Sequence, residues 1–371
     1  MKELESLNAF AGLSDPRGSN GKQHKQTLCI GIFTLAVVAG CRGLNAMGDW
    51  VKGYHDDLVA LFEPRKDRLP SYSTLRRVML GIDYQAYGAC LSSFFEVTPQ
   101  AGETVAIDGK VLRGSYEVGA VDGRAPSHPA IQLVISYIVE RGLILESIAV
   151  DCKSNEITAL PLVVKRLAEQ GVKGVVFAFD ALNTPKKLCR QIIQSENHYL
   201  APLKYNHRKR RTTVEAAFSA QEQYSETVKS HGRIDHRTIS IGHSCEGVED
   251  WPGVRTFVRI ESQRNVLKGG KYIVNKPFVR FFITSLNESA AELAARIRAY
   301  WHVENKVHYC RDVSQGEDAS RIRTGMLPHC MSAARDCALN AYRAAGCSNM
   351  AKAARDCSYN FSYLLSLINL K

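Results

Sequence analysis

The sequence predicts a mixed α/β chain, and three observations carry the prediction. Residues up to about 97 repeat apolar side chains at helical spacing. From Glu103 onward, short β-branched runs alternate with amphipathic segments, the grammar of sheet strands joined by crossover helices. The final quarter is rich in Ala and again helical in pattern.

The first part divides into helices over Thr27 to Gly40, Leu44 to Phe62, and a segment that begins at Ser71 to Thr74 and runs through Phe95. Ser71 and Ser73 follow Pro70 and can cap a helix start, while Lys66, Arg76 and Arg77 make the neighbourhood basic. This reading gives an N-terminal helical domain over residues 1–97, either DNA-binding or packed against the rest of the chain.

The middle part opens with the strand Thr104 to Asp108, which ends on an acid and leads into a loop carrying Lys110 and Arg113. Ala130 to Val139 and Leu143 to Val150 form an antiparallel pair across the short turn Glu140-Arg141-Gly142. Glu156 to Gln170 is amphipathic at helical spacing, and Gly174 to Asp180 is a near-continuous apolar strand, the signature of a strand covered on both faces. A helix over Pro185 to Ser195 and a strand over His198 to Leu203 complete the order βββαβαβ. That order is the one of a ribonuclease H-like core, whose first part spans residues 103–204. Strand-like pieces at Arg237 to Ile241, Arg255 to Ser262 and Val279 to Ser285 mark a β-rich insertion over 205–286. Residues 287–371 supply C-terminal helices that complete the core, opening at a capping box formed by Ser289 and Glu292.

Composition narrows the partners. The 371 residues hold 48 Lys and Arg against 37 Asp and Glu, a net charge of +11 that points to an anionic partner, nucleic acid first. Eleven Cys occur without a CxxC pair, which reads as reduced thiols in a cytosolic chain and not as a zinc or disulfide framework. The N-terminus lacks the pattern of a secretion signal. The apolar run Leu28 to Gly40 falls short of the roughly 20 residues that cross a bilayer and reads as a buried helix. No membrane partner is therefore expected.

In a ribonuclease H-like layout the first and fourth strands are neighbours, so Asp108 and Asp180 converge at their ends. Two close carboxylates repel unless a cation lies between them, and hard oxygen ligands suit Mg²⁺ or Mn²⁺. The helix from Ala291 to about Tyr309 places Leu293, Ile297, Trp301 and His308 on an inward stripe, with Glu304 on or beside it. Glu304 is then a third ligand, or else the partner of Arg298 or Arg311 in a salt bridge. Two ions so held would clamp the attacking and leaving oxygens of an in-line phosphoryl displacement. Lys110, Arg113, Lys204, Arg208, Lys209, Arg210, Arg211, Arg298 and Arg311 are candidates to meet phosphates, with a solvated face as the alternative for 208–211. Trp301, His302, Asn305 and His308 crowd the turns around Glu304, His302 reading as structural or DNA-contacting.

Several motifs, in order, resemble the ISAs1 family of DDE transposases, the group that includes the H-repeat-associated proteins found beside Rhs elements. They are Ser14-Asp-Pro-Arg17 with His24-Lys25, Ala106-Ile-Asp-Gly-Lys110 with Arg113, and Lys153-Ser-Asn-Glu-Ile157 with Leu160-Pro161, followed by Phe179-Asp-Ala-Leu182, His231-Gly-Arg233 and Trp301-His-Val-Glu-Asn305. The resemblance covers nearly the whole chain. It implies a site on Asp108, Asp180 and Glu304, dependence on Mg²⁺, and cutting and joining of DNA at insertion-sequence ends. It also implies DNA contacts around Arg233 and the Trp301 to Asn305 turn, a homodimer acting on transposon ends and target together, and a place in the bacterial cytosol by the nucleoid. A DNA-binding relative without catalysis and a metal-dependent nuclease that cuts without joining are the alternatives. The chain departs from the family pattern at Pro185, at Asn206-His207, and at His308-Tyr309-Cys310-Arg311-Asp312, where the family commonly has His-Trp before a Leu-Asp.

Overall fold

The computed structural model describes residues 9–18, 22–95, 97–116, 129–150, 156–180, 186–203, 208–230, 232–244 and 251–368. The architecture is mixed α/β with extensive sheet. The chain divides into two compact units, the first made of residues 1–98, 109–155 and 304–371, the second of residues 99–108 and 156–303.

In the first unit the predicted apolar run becomes helix α1 (Gln26–Val38), nearly every residue of which is buried. A helix apolar all round has no solvent face to offer and belongs inside. Helices α2 (Leu44–Gly53) and α3 (His55–Phe62) replace the single predicted segment over 44–62, and α4 (Tyr72–Gly81) and α5 (Tyr84–Phe94) replace the one over 71–95. Ser71 caps α4 by accepting from the Thr74 amide, as its sequence position predicts. Asp83 does the same for α5, taking the Gln85 and Ala86 amides, and this second cap splits the longer segment. Helix α10 (Leu327–Ala344) packs on α1, on α5 and on strand β3 (Leu143–Val150). The N-terminal helices therefore share a core with the C-terminal ones, so the division read from the sequence into an N-terminal domain and a separate C-terminal part does not coincide with the compact units.

Strand β2 (Ile131–Ile138) pairs antiparallel with β3 across the predicted turn. Strand β1 (Thr104–Leu112) runs through the boundary at Asp108 and Gly109, longer than the sequence indicates. Within the second unit β1 pairs in parallel with β4 (Val176–Phe179), and β4 in parallel with β5 (His198–Leu203). Helices α6 (Glu156–Glu169) and α7 (Lys186–Gln194) make the two crossovers, so the predicted βββαβαβ succession is found element by element. The sheet of this unit continues from β5 through β10 (Phe278–Thr284), β8 (Thr256–Lys268) and β7 (Arg233–Gly242) to β6 (Glu222–Ser230), with β9 (Lys271–Val274) beside β8. The stretch expected as an insertion is thus an antiparallel extension of the same sheet, preceded by helix α8 (Arg208–Ala217).

Helix α9 (Ala290–Tyr300) opens at the predicted capping box, both halves of which are formed. Its Ala290, Leu293, Ala294 and Ile297 join Val176, Leu200, Ile239, Val258 and Phe282 in one apolar cluster. The spacing of these four positions puts a single stripe of the helix on the sheet.

Candidate active site

Strands β1 and β4 are in register, with Thr104 to Ile107 opposite Val176 to Phe179, and Ile107 and Phe179 are the last pair. Asp108 and Asp180 each follow one residue after this pairing, Asp180 just past the carboxyl end of β4 and Asp108 within β1, which runs on to Leu112, and paired strands lie about 4.8 Å apart. The paired residues are buried, and both acids lie at the point where burial gives way to partial exposure. Such strands are apolar because both faces are covered, and the first position free of that demand is where an acid is tolerated. The crevice beyond the carboxyl ends of parallel strands is the usual place for a ligand in α/β sheets.

One cation near this pair had no signal in the sequence. Arg280 of β10 has its guanidinium 5.1 Å from the ring of Phe278 and 5.1 Å from that of Trp301. Loss of hydration and the neighbouring Arg237 hold it below the usual arginine range, and the charge of Asp180 acts in the opposite sense. A strand pattern shows β10 only as a largely apolar run, and Trp301, one of the two rings, is remote from Arg280 in sequence.

Glu304 lies where the helical path changes. The α-helix ends with Trp301 as its cap, and residues Val303–His308 continue as π-helix, followed by a second π-helical segment, Cys310–Ser314. The sequence predicts one α-helix to about Tyr309, and the wider turn departs from it. Insertions of this kind cost hydrogen-bond geometry and concentrate at functional sites. Val303 and Val307 are buried anchors, whereas Glu304, Asn305 and Lys306 face solvent. Trp301, expected on the inward stripe, is instead 39% exposed. Among the described residues Glu304 makes no ion pair, since Arg298 is joined to Glu226, and Arg311 to Glu317 and Asp336.

The expected phosphate-facing cations divide. Arg311 is 0% exposed and its guanidinium is fully engaged. It donates to both carboxylate oxygens of Glu317 at 2.8 and 2.7 Å, to Asp336 at 2.9 Å, and to Ser332. Lys110, also buried, donates to Asp312 at 2.5 Å and lies 3.8 Å from Glu317. Neither can meet DNA in this arrangement, which corrects the sequence reading for both. With Arg335 at 3.2 Å from Glu317, three cations and three acids close an internal network. Burial works to raise the Glu317 carboxyl, yet Arg311 and then Arg335 outweigh it and hold it below the usual range. Asp336 is pushed up by burial, with Arg311 opposing.

The other described candidates keep contact with solvent, Arg211 through only 12% of its side chain. Arg113 is exposed and 3.5 Å from Asp318, and Arg211 is 4.0 Å from Glu215. Arg233 is exposed at the start of β7, Arg298 is partly exposed beside Glu226, His302 is half-buried and Asn305 exposed. Lys204 and the side chains of Arg208, Lys209 and Arg210 lie outside the described residues, as do Leu182, Pro185 and His231.

The donor chemistry of Asp108 and Asp180, two hard carboxylates each one residue beyond the parallel pairing, fits a divalent cation. Among the described residues no three His, Cys, Asp or Glu side chains are gathered as a metal-holding group. No helix among them is long and apolar enough to cross a membrane. The described cysteines are free, in keeping with the expected thiols.

Comparison with known proteins bears out the family resemblance. Residues 99–340 match the family described as Transposase DDE domain, and residues 7–95 match the one described as DDE_Tnp_1-associated. The chain is 27% identical over 383 residues to the Escherichia coli K12 protein named "H repeat-associated putative transposase YhhI", covering 98% of each. It is 28% identical over 357 residues to "Putative transposase YncI" of Escherichia coli O157:H7, covering 91% of this chain and 87% of that one. A cryo-EM structure of a piggyBac transposase synaptic complex with hairpin DNA superposes with a TM-score of 0.46 at 11% identity, over 99% of this chain and 78% of that one. Divalent metal is the general requirement of DDE transposases. With the DDE domain matched over most of its length, this chain belongs to the DDE transposase family, in its H repeat-associated type.

Proposed function

We propose that the chain cuts DNA at the ends of an insertion sequence and joins those ends to a target, using Asp108, Asp180 and Glu304 on a ribonuclease H-like core. The observation that carries the reading is the in-register parallel pairing that ends at Ile107 and Phe179, one residue before the two acids. A family assignment alone does not select these two among 37 acidic residues. The register does.

The chemistry is phosphoryl transfer in two steps. Water attacks the phosphorus at the element end, the bond to the 3′ oxygen breaks, and that oxygen leaves as a 3′-hydroxyl. The hydroxyl then attacks a phosphorus of the target strand, forming the new phosphodiester while the target's own 3′ oxygen leaves. Asp108, Asp180 and Glu304 would hold two Mg²⁺ ions, with Mn²⁺ as a substitute. When bound, the ions neutralise charge on the phosphoryl oxygens and favour the deprotonated attacking group. The residues themselves orient the phosphate and keep the acids fixed. Arg113, Arg211, Arg233, Arg298, Trp301, His302 and Asn305 are proposed contacts to DNA, with Lys204 and the basic run 208–210 beside them. Two element ends need coordinated processing, which favours a homodimer in the DNA complex, acting in the bacterial cytosol by the nucleoid.

A supercoiled plasmid carrying the flanking terminal repeats, incubated with Mg²⁺ or Mn²⁺, tests the reading. Nicked and then joined products are expected with the wild type, and a loss of at least about a hundred-fold with Asp108→Ala, Asp180→Ala or Glu304→Gln, the scale of removing a group that stabilises developing charge. Undiminished nicking by Asp108→Ala would overturn the assignment. Cleavage without joined product, with free 3′-hydroxyl ends present, would leave a nuclease.

A further inference from the structure

Immediately after Glu304, in the first unit, the chain forms one wall of an open cleft of about 790 Å³. Asn305, Lys306 and Tyr309 line the cleft together with Arg343 of α10 and Arg141 of the turn between β2 and β3. Its charge is positive, since Arg141, Lys306 and Arg343 face a single acid, Glu140.

How Arg343 is held bears on the ligand. Its guanidinium donates to the Gly142 carbonyl at 2.8 Å and to the Lys306 carbonyl, and lies 5.7 Å from the Tyr137 ring. These acceptors are neutral, so they fix the group across the cleft without cancelling its charge. A pinned cation costs less ordering entropy on binding than a free one. Lys306 is exposed and, among the described residues, makes no ion pair. Tyr309 presents its ring to the same space with 59% of the residue exposed, a position that packing does not explain. Fixed positive charge beside an open aromatic face is the pairing that holds single-stranded nucleic acid, the cations on phosphates and the ring under a base. The cleft's volume lies within the range of about 300–1,000 Å³ that encloses small organic ligands, which suits a nucleotide or two and not the breadth of a duplex.

We propose that this cleft binds single-stranded DNA, through Lys306 and Arg343 to phosphates and Tyr309 to a base, and so guides the strand next to the cleaved phosphate. The placement next to the chemistry rests on the reading of Glu304 given above. The binding itself does not.

The test uses the full chain without divalent metal and a labelled oligothymidylate of about eight nucleotides, within the site sizes typical of such grooves. Binding is followed by fluorescence anisotropy across a salt series, with a duplex of equal length in parallel. Lys306→Ala is expected to reduce the slope of log affinity against log salt by about 0.7, the loss of one phosphate contact on a single strand. Tyr309→Ala should weaken binding at least about five-fold with the slope unchanged, as loss of stacking does. Both side chains are exposed, so melting temperatures should match the wild type. Absence of binding by the wild type, unchanged binding by both variants, or equal losses on the duplex would each overturn the proposal. If the losses occur while Asp108→Ala nicks plasmid as the wild type does, the cleft stands and the triad falls; the opposite pattern removes the cleft alone.

Discussion

Replacing Arg311 with Leu should unfold the first unit at a markedly lower temperature, because an apolar side chain cannot serve the buried acids around it. Arg311 is completely buried, and its loss removes the bidentate bond to Glu317 and the bond to Asp336 together. Glu317 would keep Arg335 at 3.2 Å and Lys110 at 3.8 Å. Asp336 would keep the Ser147 hydroxyl, at 2.6 Å, as a hydrogen-bond partner, with the charges of Arg335 and Arg343 acting on it through space. Breaking a buried pair from one side costs about 3–5 kcal/mol because a charge is left behind without water. For a unit of roughly 200 residues each kcal/mol moves the melting temperature by about 2–4 °C, so the expected fall is about 6–20 °C. Calorimetry or circular dichroism at neutral pH measures it. The double variant Arg311→Leu, Asp336→Asn should recover much of the loss, since it removes the stranded Asp336 charge and leaves Glu317 to Arg335 and Lys110. A fall below about 2 °C for Arg311→Leu would refute the view that the network is closed to solvent, because an exposed pair is worth only about 0–1 kcal/mol.

Gly114→Ala should destabilise the same unit by at least about 1–3 kcal/mol, the usual cost of overpacking, seen as a lower denaturant midpoint. A β-carbon at Gly114 would stand 1.9 Å from the Ser320 carbonyl oxygen, a backbone atom that has no rotamer by which to retreat. A pH dependence follows from Asp15, whose carboxyl is held below its ordinary value chiefly by the Arg17 side chain, bonded to it at 2.9 Å through two nitrogens. A lowered folded pKa stabilises above the unfolded value of about 3.9 and is lost as pH falls through the folded one. Asp15→Asn should therefore be less stable than the wild type at pH 7 by up to about 1 kcal/mol, with the difference closing below about pH 4. A gap that stays constant down to pH 2 would show that the ion pair is not its source.

The central fold is legible because its segments carry a single unambiguous pattern. The apolar runs at β2, β3, β4 and β5 and the amphipathic α6 and α7 each announce a period, and their succession follows. Strand β6 announces nothing: nearly all of Glu222–Ser230 is exposed, so no apolar face alternates along it, and only its pairing with β7 reveals it. Helix α8 is hidden by its charge, since the basic run 208–211 masks any apolar period and, among its described side chains, Val214 is the fully buried one. Strand β9 is four exposed residues after Gly269 and Gly270, too short for any period. The Ser14 to Arg17 motif, informative only as a likeness in the sequence, has a structural use: Gln26 donates to the Ser14 carbonyl at 2.8 Å, and Pro16 occupies the space that a β-carbon on Gly81 would need.

The candidate site was legible to different depths for a physical reason. Asp108 and Asp180 end apolar runs, so a one-dimensional pattern marks them, and pairing by register follows from the strand order. The cations carry no such mark, because burial of an Arg is decided by acids that fold beside it. Arg311 finds Glu317 six residues away and Asp336 twenty-five away, and no local spacing separates it from the exposed Arg113. The cleft beside Glu304 shows the converse. Arg343 sits on a helix remote in sequence from Arg141 and Lys306, and its partners are backbone carbonyls, which every residue possesses and no sequence displays. A basic chain thus states that it meets an anion, while the acids and carbonyls that fold around each cation decide where. The positive charges most apt to meet DNA are those held by neutral groups, and these are the ones a motif search passes over.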